Sequence, residues 1–280
     1  MKRPPPGYLP LHLRAPSLPP GDHVVSTIVG EQQALVVDPG SPFPAEQRRL
    51  ERLLYRLLGA GGSLQGVLLT HHHRDHVGGA LALATRFALP VFAHAETHAR
   101  VPLGGVTRIM LDNEEVLNID GGRRTLRVLH TPGHALGHLC LFEERTGVLL
   151  SGDMVLGRGT TLIDPDQGHM GDYLRSLRRL AALHPKIVLP GHGGMVCHGE
   201  AAIHRLIAHR VARERRVLMT LREAKAPLTA LGVAREAYRE LSPLLASLAL
   251  RSTCSHLLEL RRQGSALHGE KGWYALPHSG

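Results

Sequence analysis

The stretch THHHRDHVGG, residues 70–79, follows the short apolar run QGVLLT and runs into GALALATRF. The run reads as a buried strand and the segment after the paired glycines as a helix. On an extended loop, residues two apart point the same way, so His71 and His73 can converge on one ion. Asp75 and His76, at the helix start, turn toward a second ion beside it. Three more places set such side chains at a strand end beside glycine: His130-Thr131-Pro132-Gly133-His134, Ser151-Gly152-Asp153 after GVLL, and Pro190-Gly191-His192-Gly193.

Imidazole with carboxylate suits zinc, iron or manganese, and the missing thiolates argue against a purely structural zinc site. The candidates His71, His73, Asp75, His76, His134, Asp153 and His192 are too many for one tetrahedral ion. They suit two ions sharing a bridging carboxylate. Two ions about 3.5–4 Å apart clamp a bridging water, lower its pKa and stabilise transition-state charge. That hydrolytic chemistry needs no redox cofactor and no Ser or Cys nucleophile.

Outward from the motif, VVSTIVG and ALVVDPG read as consecutive strands, and residues 44–60 as a helix with proline in its first turn and a glycine stop. PVFAHA is another strand, VLNIDGG with TLRVLHTPGH a strand–turn–strand, LCLFEERTGVLLSGD a hairpin, DYLRSLRRLAAL a helix, and PKIVLPGHGG a last strand. Strands dominate, with helices between pairs of them, which predicts an α/β or α+β fold with a mixed sheet. Residues 1–20, with seven prolines, form a separate Pro-rich segment, and residues 21–195 the catalytic domain. Residues 196–280 change in texture: a long basic helix over 199–224, a second helix, a proline turn at Ser242 and Pro243, a third helix to about Arg262, and a small hairpin. Three helices and a two-stranded wing outline a winged-helix-like module.

The chain has 280 residues, 20 of them histidine, and a net charge of +9. At 43% hydrophobic it has ample material for a core, which excludes disorder throughout. No uninterrupted run of 18 apolar residues offers a membrane span, and the start has no apolar signal region, so the expected location is the cytoplasm. Cys140, Cys197 and Cys254 are too scattered for a disulfide framework or zinc finger and read as small apolar residues. The charge is uneven: residues 195–280 hold 13 basic and 7 acidic residues, a net of +6, against +3 for the rest. An excess of that kind is either a set of solvated helix faces or an attraction for a polyanion or an acidic substrate, although few aromatics are present to stack bases.

THHHRDHVGG, HTPGHALGH, SGD and PGHG, in that order over roughly residues 20–195, resemble the metallo-β-lactamase superfamily of hydrolases. The resemblance implies an αββα sandwich with metals at the edge of its two sheets. It implies that His71, His73 and His134 bind one ion, that Asp75, His76 and His192 bind the other, and that Asp153 bridges them. Asp38 of DPG matches an acid that orients a ligating histidine. Asp75 would also orient the nucleophile and handle its proton. Zinc is the first expectation for both ions, with iron or manganese as alternatives. His72 and Arg74 are expected to point away, His130 and His138 to pack or support ligands, and His94 and His98 to lie on the surface.

The tail, with GRGTTLIDPDQGHMGDYLRSLRRL before it, is similar to the β-lactamase-like protein 2 group, which includes endoribonucleases acting on single-stranded RNA and has thioesterase relatives. Three functions follow. The first is a binuclear metal-dependent hydrolase of single-stranded RNA; the second is an acyl thioester or ester hydrolase of the same fold. The third is a non-enzymatic winged-helix nucleic-acid-binding regulator carrying a metal site. A secreted β-lactamase is not expected, since no signal segment is read at the start.

Overall fold

The computed structural model describes residues 3–17, 21–242 and 245–276. The apolar runs fold into two six-stranded sheets, each following chain order. The first comprises β1 (Tyr8–Arg14), β2 (His23–Val29), β3 (Gln33–Val37), β4 (Ser63–Leu68), β5 (Val91–Ala93) and β6 (Arg108–Met110). It is antiparallel from β1 to β3 and parallel from β3 to β6. The second comprises β7 (Val116–Ile119), β8 (Arg124–His130), β9 (Leu139–Glu143), β10 (Val148–Gly152), β11 (Ile187–Pro190) and β12 (Val196–Cys197). It is antiparallel except between β10 and β11.

These strands read as continuous apolar runs because both faces are covered. In β3, Leu35 and Val37 face the second sheet, whereas Ala34 and Val36 face out. In β9 and β10, Leu139, Leu141, Val148 and Leu150 face in, and Cys140, Phe142 and Leu149 face out. The helices α1 (Pro44–Gly59), α2 (Arg74–Val77), α3 (Ala80–Phe87) and α4 (Ala95–His98) follow the strands of the first sheet. Leu50 and Leu54 of α1 and Leu83 of α3 cover its outer face. Tyr173, Leu174 and Leu177 of α5 (Met170–Ala181) cover the outer face of the second sheet. The result is the expected αββα sandwich.

The Pro-rich start holds a strand the sequence did not announce: β1 pairs along its whole length with β2. An edge strand tolerates Pro10, since only one side of its ladder is used. It is also anchored at its first residue. The Tyr8 hydroxyl donates to Glu143 Oε2 at 2.9 Å, Arg124 pairs with Glu143 at 3.1 Å, and Arg124 Nη2 donates to the Pro6 carbonyl at 2.6 Å.

The C-terminal region comprises α6 (Gly199–Glu223), α7 (Ala230–Ala237), α8 (Ala246–Arg262) and a hairpin of β13 (Ala266–Gly269) and β14 (Gly272–Ala275). It has its own core around Val217, Leu221, Val233, Leu257, Leu260 and Trp273. Of the expected turn before α8, Pro243 lies outside the described residues. Among the described residues, no helix is long and apolar enough to cross a membrane.

Candidate metal centre

Five chain segments at strand ends deliver the candidate side chains to one place. Asp38 follows β3, residues 70–76 follow β4, His134 lies in the β8–β9 loop, Asp153 follows β10 and His192 follows β11. Two glycines allow the approach. A Cβ on Gly40 would meet the Asp75 carbonyl oxygen at 1.7 Å, and one on Gly191 would meet His76 Cε1 at 2.6 Å and Asp153 Oδ1 at 2.7 Å.

The side chains form two adjoining groups. In the first, His71 Nε2 lies 3.0 Å from His73 Nδ1 and 3.3 Å from His134 Nε2, and His134 Nε2 lies 2.9 Å from His73 Nδ1. In the second, His76 Nε2 and His192 Nε2 are 3.1 Å apart, with Asp75 Oδ2 3.3 Å from His192 Nε2. Asp153 stands between them. Its Oδ1 is 3.4 Å from His76 and 3.6 Å from His192, while its Oδ2 is 3.6 Å from His134.

Each imidazole has one nitrogen engaged on the far side. His71 Nδ1 meets Thr70 Oγ1 at 2.9 Å, His73 Nε2 meets Gln167 Oε1 at 2.8 Å, and His134 Nδ1 meets the Leu162 carbonyl at 2.9 Å. His76 Nδ1 meets Asp38 Oδ2 at 2.8 Å, and His192 Nδ1 meets the His23 carbonyl at 2.6 Å. Carbonyl, amide and carboxylate partners fix the proton on the far nitrogen and turn a lone pair inward. Three inward nitrogens that cannot satisfy one another, and the buried Asp153 Oδ1 with no hydrogen-bond partner, fit bound cations. The groups His71–His73–His134, His71–His76–Asp153 and Asp75–His76–His192 each bring their donor atoms within 4.8 Å. That spacing suits ions held about 2 Å from imidazole nitrogen.

The two groups differ in charge. Burial, with the neighbouring imidazoles, lowers His71 well below the usual histidine value. Burial lowers His73 and brings His134 down to about 4. Burial also opposes protonation of His76 and His192, but Asp153, with Asp38 for the first and Asp75 for the second, holds both above it. Burial would raise the Asp75 carboxyl, yet the His192 hydrogen bond and the charge of His76 keep it at about 2.

The structure thus brings all seven candidates together and sets Asp38 behind His76. Asp38, at a left-handed φ of 48°, also accepts from the Thr70 N–H at 2.8 Å and from the Thr70 hydroxyl at 2.7 Å. Of the flanking histidines, His138 is fully buried and accepts from the Asp153 N–H at 3.1 Å, so it holds the Asp153 backbone in place. His72 turns to Gln167 at 3.2 Å. The surface expectation fails for His98, which is 2% exposed and bonded to the Ile109 carbonyl at 3.1 Å. His94 is part-exposed, as a surface residue would be, and stacks on His130 at 4.2 Å. Gln167 and the carbonyls of Leu162 and His23 received no role from the sequence. The positions of Gln167 and Leu162, within GRGTTLIDPDQGHMGDYLRSLRRL, were the only signal.

A family model described as the metallo-beta-lactamase superfamily matches residues 18–192, and the chain belongs to that superfamily. An atrochrysone carboxyl ACP thioesterase of Emericella nidulans is 30% identical over 192 residues, 68% of this chain and 57% of that protein. A beta-lactamase-like protein 2 homolog of Drosophila melanogaster is 31% identical over 212 residues, 72% of this chain and 70% of that protein. The chain thus spans under two thirds of the length of the fungal relative. Among solved structures, a beta-lactamase domain protein from Burkholderia ambifaria superposes with a TM-score of 0.84 at 26% identity, covering 98% of this chain and 93% of that one. That match extends through the C-terminal helices.

Proposed function

We propose that this chain is a binuclear metal-dependent hydrolase whose substrates are acyl thioesters. One observation carries the hydrolytic reading: five imidazoles, each engaged on its far nitrogen, face two adjoining points across one carboxylate. His71, His73 and His134 would hold one divalent cation, Asp75, His76 and His192 the other, and Asp153 both. Zinc suits the imidazole–carboxylate set, as do iron and manganese. Bound there, such a pair supplies Lewis acidity and water acidified to a pKa of about 7.

The chain's own groups do the rest. Asp75, ionised at any pH above about 2, is an acceptor that orients a water O–H rather than a proton store. Asp38 keeps the His76 proton on Nδ1, and the Leu162 and His23 carbonyls do the same for His134 and His192.

The thioesterase relative supports the thioester substrate. RNA rested on the basic tail and on the group resemblance; at least five of the tail's 13 basic residues are engaged within the protein, which leaves its net of +6 in place. Arg210 bonds the Thr161 carbonyl, Arg213 and Arg216 pair with Glu240, Arg251 with Asp164 and Arg262 with Glu259. A regulator with a relic site is disfavoured by a donor set complete down to its outer hydrogen bonds. Metal quantification by mass spectrometry beside a panel of acyl thioesters, lactones, phosphodiesters and single-stranded RNA tests the proposal. The expected result is two metal equivalents and thioester cleavage that chelation abolishes. Full activity in metal-depleted protein would overturn it, and salt-sensitive RNA cleavage would replace the substrate.

A further inference from the structure

Residues 161–167 form a strap between the C-terminal helices and the candidate metal centre. On its inner side, Thr161 Oγ1 donates to the Asp153 carbonyl at 2.6 Å. The Leu162 carbonyl accepts from His134 Nδ1 at 2.9 Å, and Gln167 Oε1 lies 2.8 Å from His73 Nε2. On its outer side, Arg210 of α6 donates to the Thr161 carbonyl and Ser255 of α8 to the Ile163 carbonyl at 2.5 Å. Arg251 of α8 pairs with Asp164, whose carbonyl accepts from the Gln167 N–H at 3.1 Å and so shapes the turn presenting Gln167.

Residues 161–164 belong to no helix or strand, so no backbone ladder places them. Arg210 is 3% exposed, and its guanidinium lies 5.5 Å from the ring centre of Tyr173. The Tyr173 hydroxyl donates at 2.8 Å to the carbonyl of Met154, the residue after Asp153. Two routes thus run from α6 to the Asp153 turn, and two run from α8 to the imidazoles of the first group.

We propose that the C-terminal helices are a positioning device for the metal centre. Arg210, Ser255 and Arg251 set residues 161–167, and these orient His73, His134 and Asp153 toward bound metal. All three are positioning residues, and the inference rests on the metal-centre reading above. A purely structural tail would lower the unfolding temperature without altering coordination.

The test titrates full-length, metal-free protein with Co2+, reading its d–d absorption and its competition with a chelator, beside thermal unfolding. The Ser255→Ala, Arg251→Gln double variant is expected to lose about tenfold in Co2+ affinity, the scale of outer partners of ligands, with altered d–d bands. Arg210→Met is expected to do the same, Arg210→Lys to recover most of the loss, and Arg235→Ala, at an exposed site on α7, to match wild type. If Arg210→Met does not fold, the double variant decides, because neither change opens the core. Folded variants with wild-type affinity and bands overturn the inference. Wild-type protein that takes up no Co2+ overturns the metal-centre reading, and this inference with it.

Discussion

The two halves of the centre use the same kind of side chain in opposite electrostatic states. His71, His73 and His134 face one another with Asp153 at their edge, 3.6 Å from His134, and burial outweighs that carboxylate and holds their pKa values down. His76 and His192 face Asp38, Asp75 and Asp153 and are held toward protonation. On the proposed reading, the first half would accept a cation at neutral pH, whereas the second would have to give up protons to do so. Charge in the surrounding carboxylates, rather than the donor atoms themselves, sets the difference.

The sharpest way to break the comparison is to remove the group both halves share. Asp153→Ala is expected to lower hydrolysis about a thousandfold, a loss of several kcal/mol of transition-state stabilisation, while the chain stays folded. Steady-state rates with circular dichroism check it, and activity within tenfold of wild type would exclude Asp153 as the bridge. Next, Asp38→Asn acts directly on the second half, through His76, and reaches the first only at one remove, through Thr70 to His71. The amide presents N–H where His76 Nδ1–H needs an acceptor, so the imidazole is driven to the tautomer whose Nε2 carries the proton. A loss of about 10- to 100-fold in affinity for the second metal equivalent is expected, with a smaller loss for the first. Equal loss of both would show that the halves are not separable.

Acidity should separate them further. Between pH 8 and pH 6 the second equivalent is expected to weaken by about tenfold per unit for each proton displaced. The first should hold, since His134 stays neutral down to about 4. Calorimetric metal titrations at three pH values read this directly, and parallel weakening of both would contradict the assigned charge states.

What was legible in the sequence was local. Residues 70–79 carry four donors within six positions, and the apolar runs announce strands whose two buried faces explain their lack of alternation. What was not legible depends on partners far away in the chain. The β1 strand is secured by Tyr8 and Arg124 meeting Glu143, separations of 135 and 19 residues. Gln167 reaches His73 across 94 residues, and a carbonyl such as Leu162 carries no residue-type signal at all. His98 read as a surface residue because nothing near it in sequence shows that the Ile109 carbonyl will cover it.

The smallest effect expected is on the metal-free protein's own stability, and its sign differs between the halves. A histidine whose pKa is lowered by folding binds its proton more readily when unfolded, so His71, His73, His134 and His138 cost stability as pH falls below the unfolded value of about 6.5. A histidine whose pKa is raised contributes stability fully below 6.5 and loses it as pH rises through the folded value, which is the case for His76 and His192. Asp75 and Asp153, both lowered, add a further loss only at pH below about 4. The unfolding temperature without metal should therefore peak near pH 6.5 and fall by a few degrees on either side, at about 2–4 °C per kcal/mol. Asp153→Ala removes a main support of the raised values and should flatten the alkaline limb, while the fall between pH 6.5 and about 4 that the lowered histidines cause remains. A variant that keeps both limbs would place the raised histidines' support elsewhere.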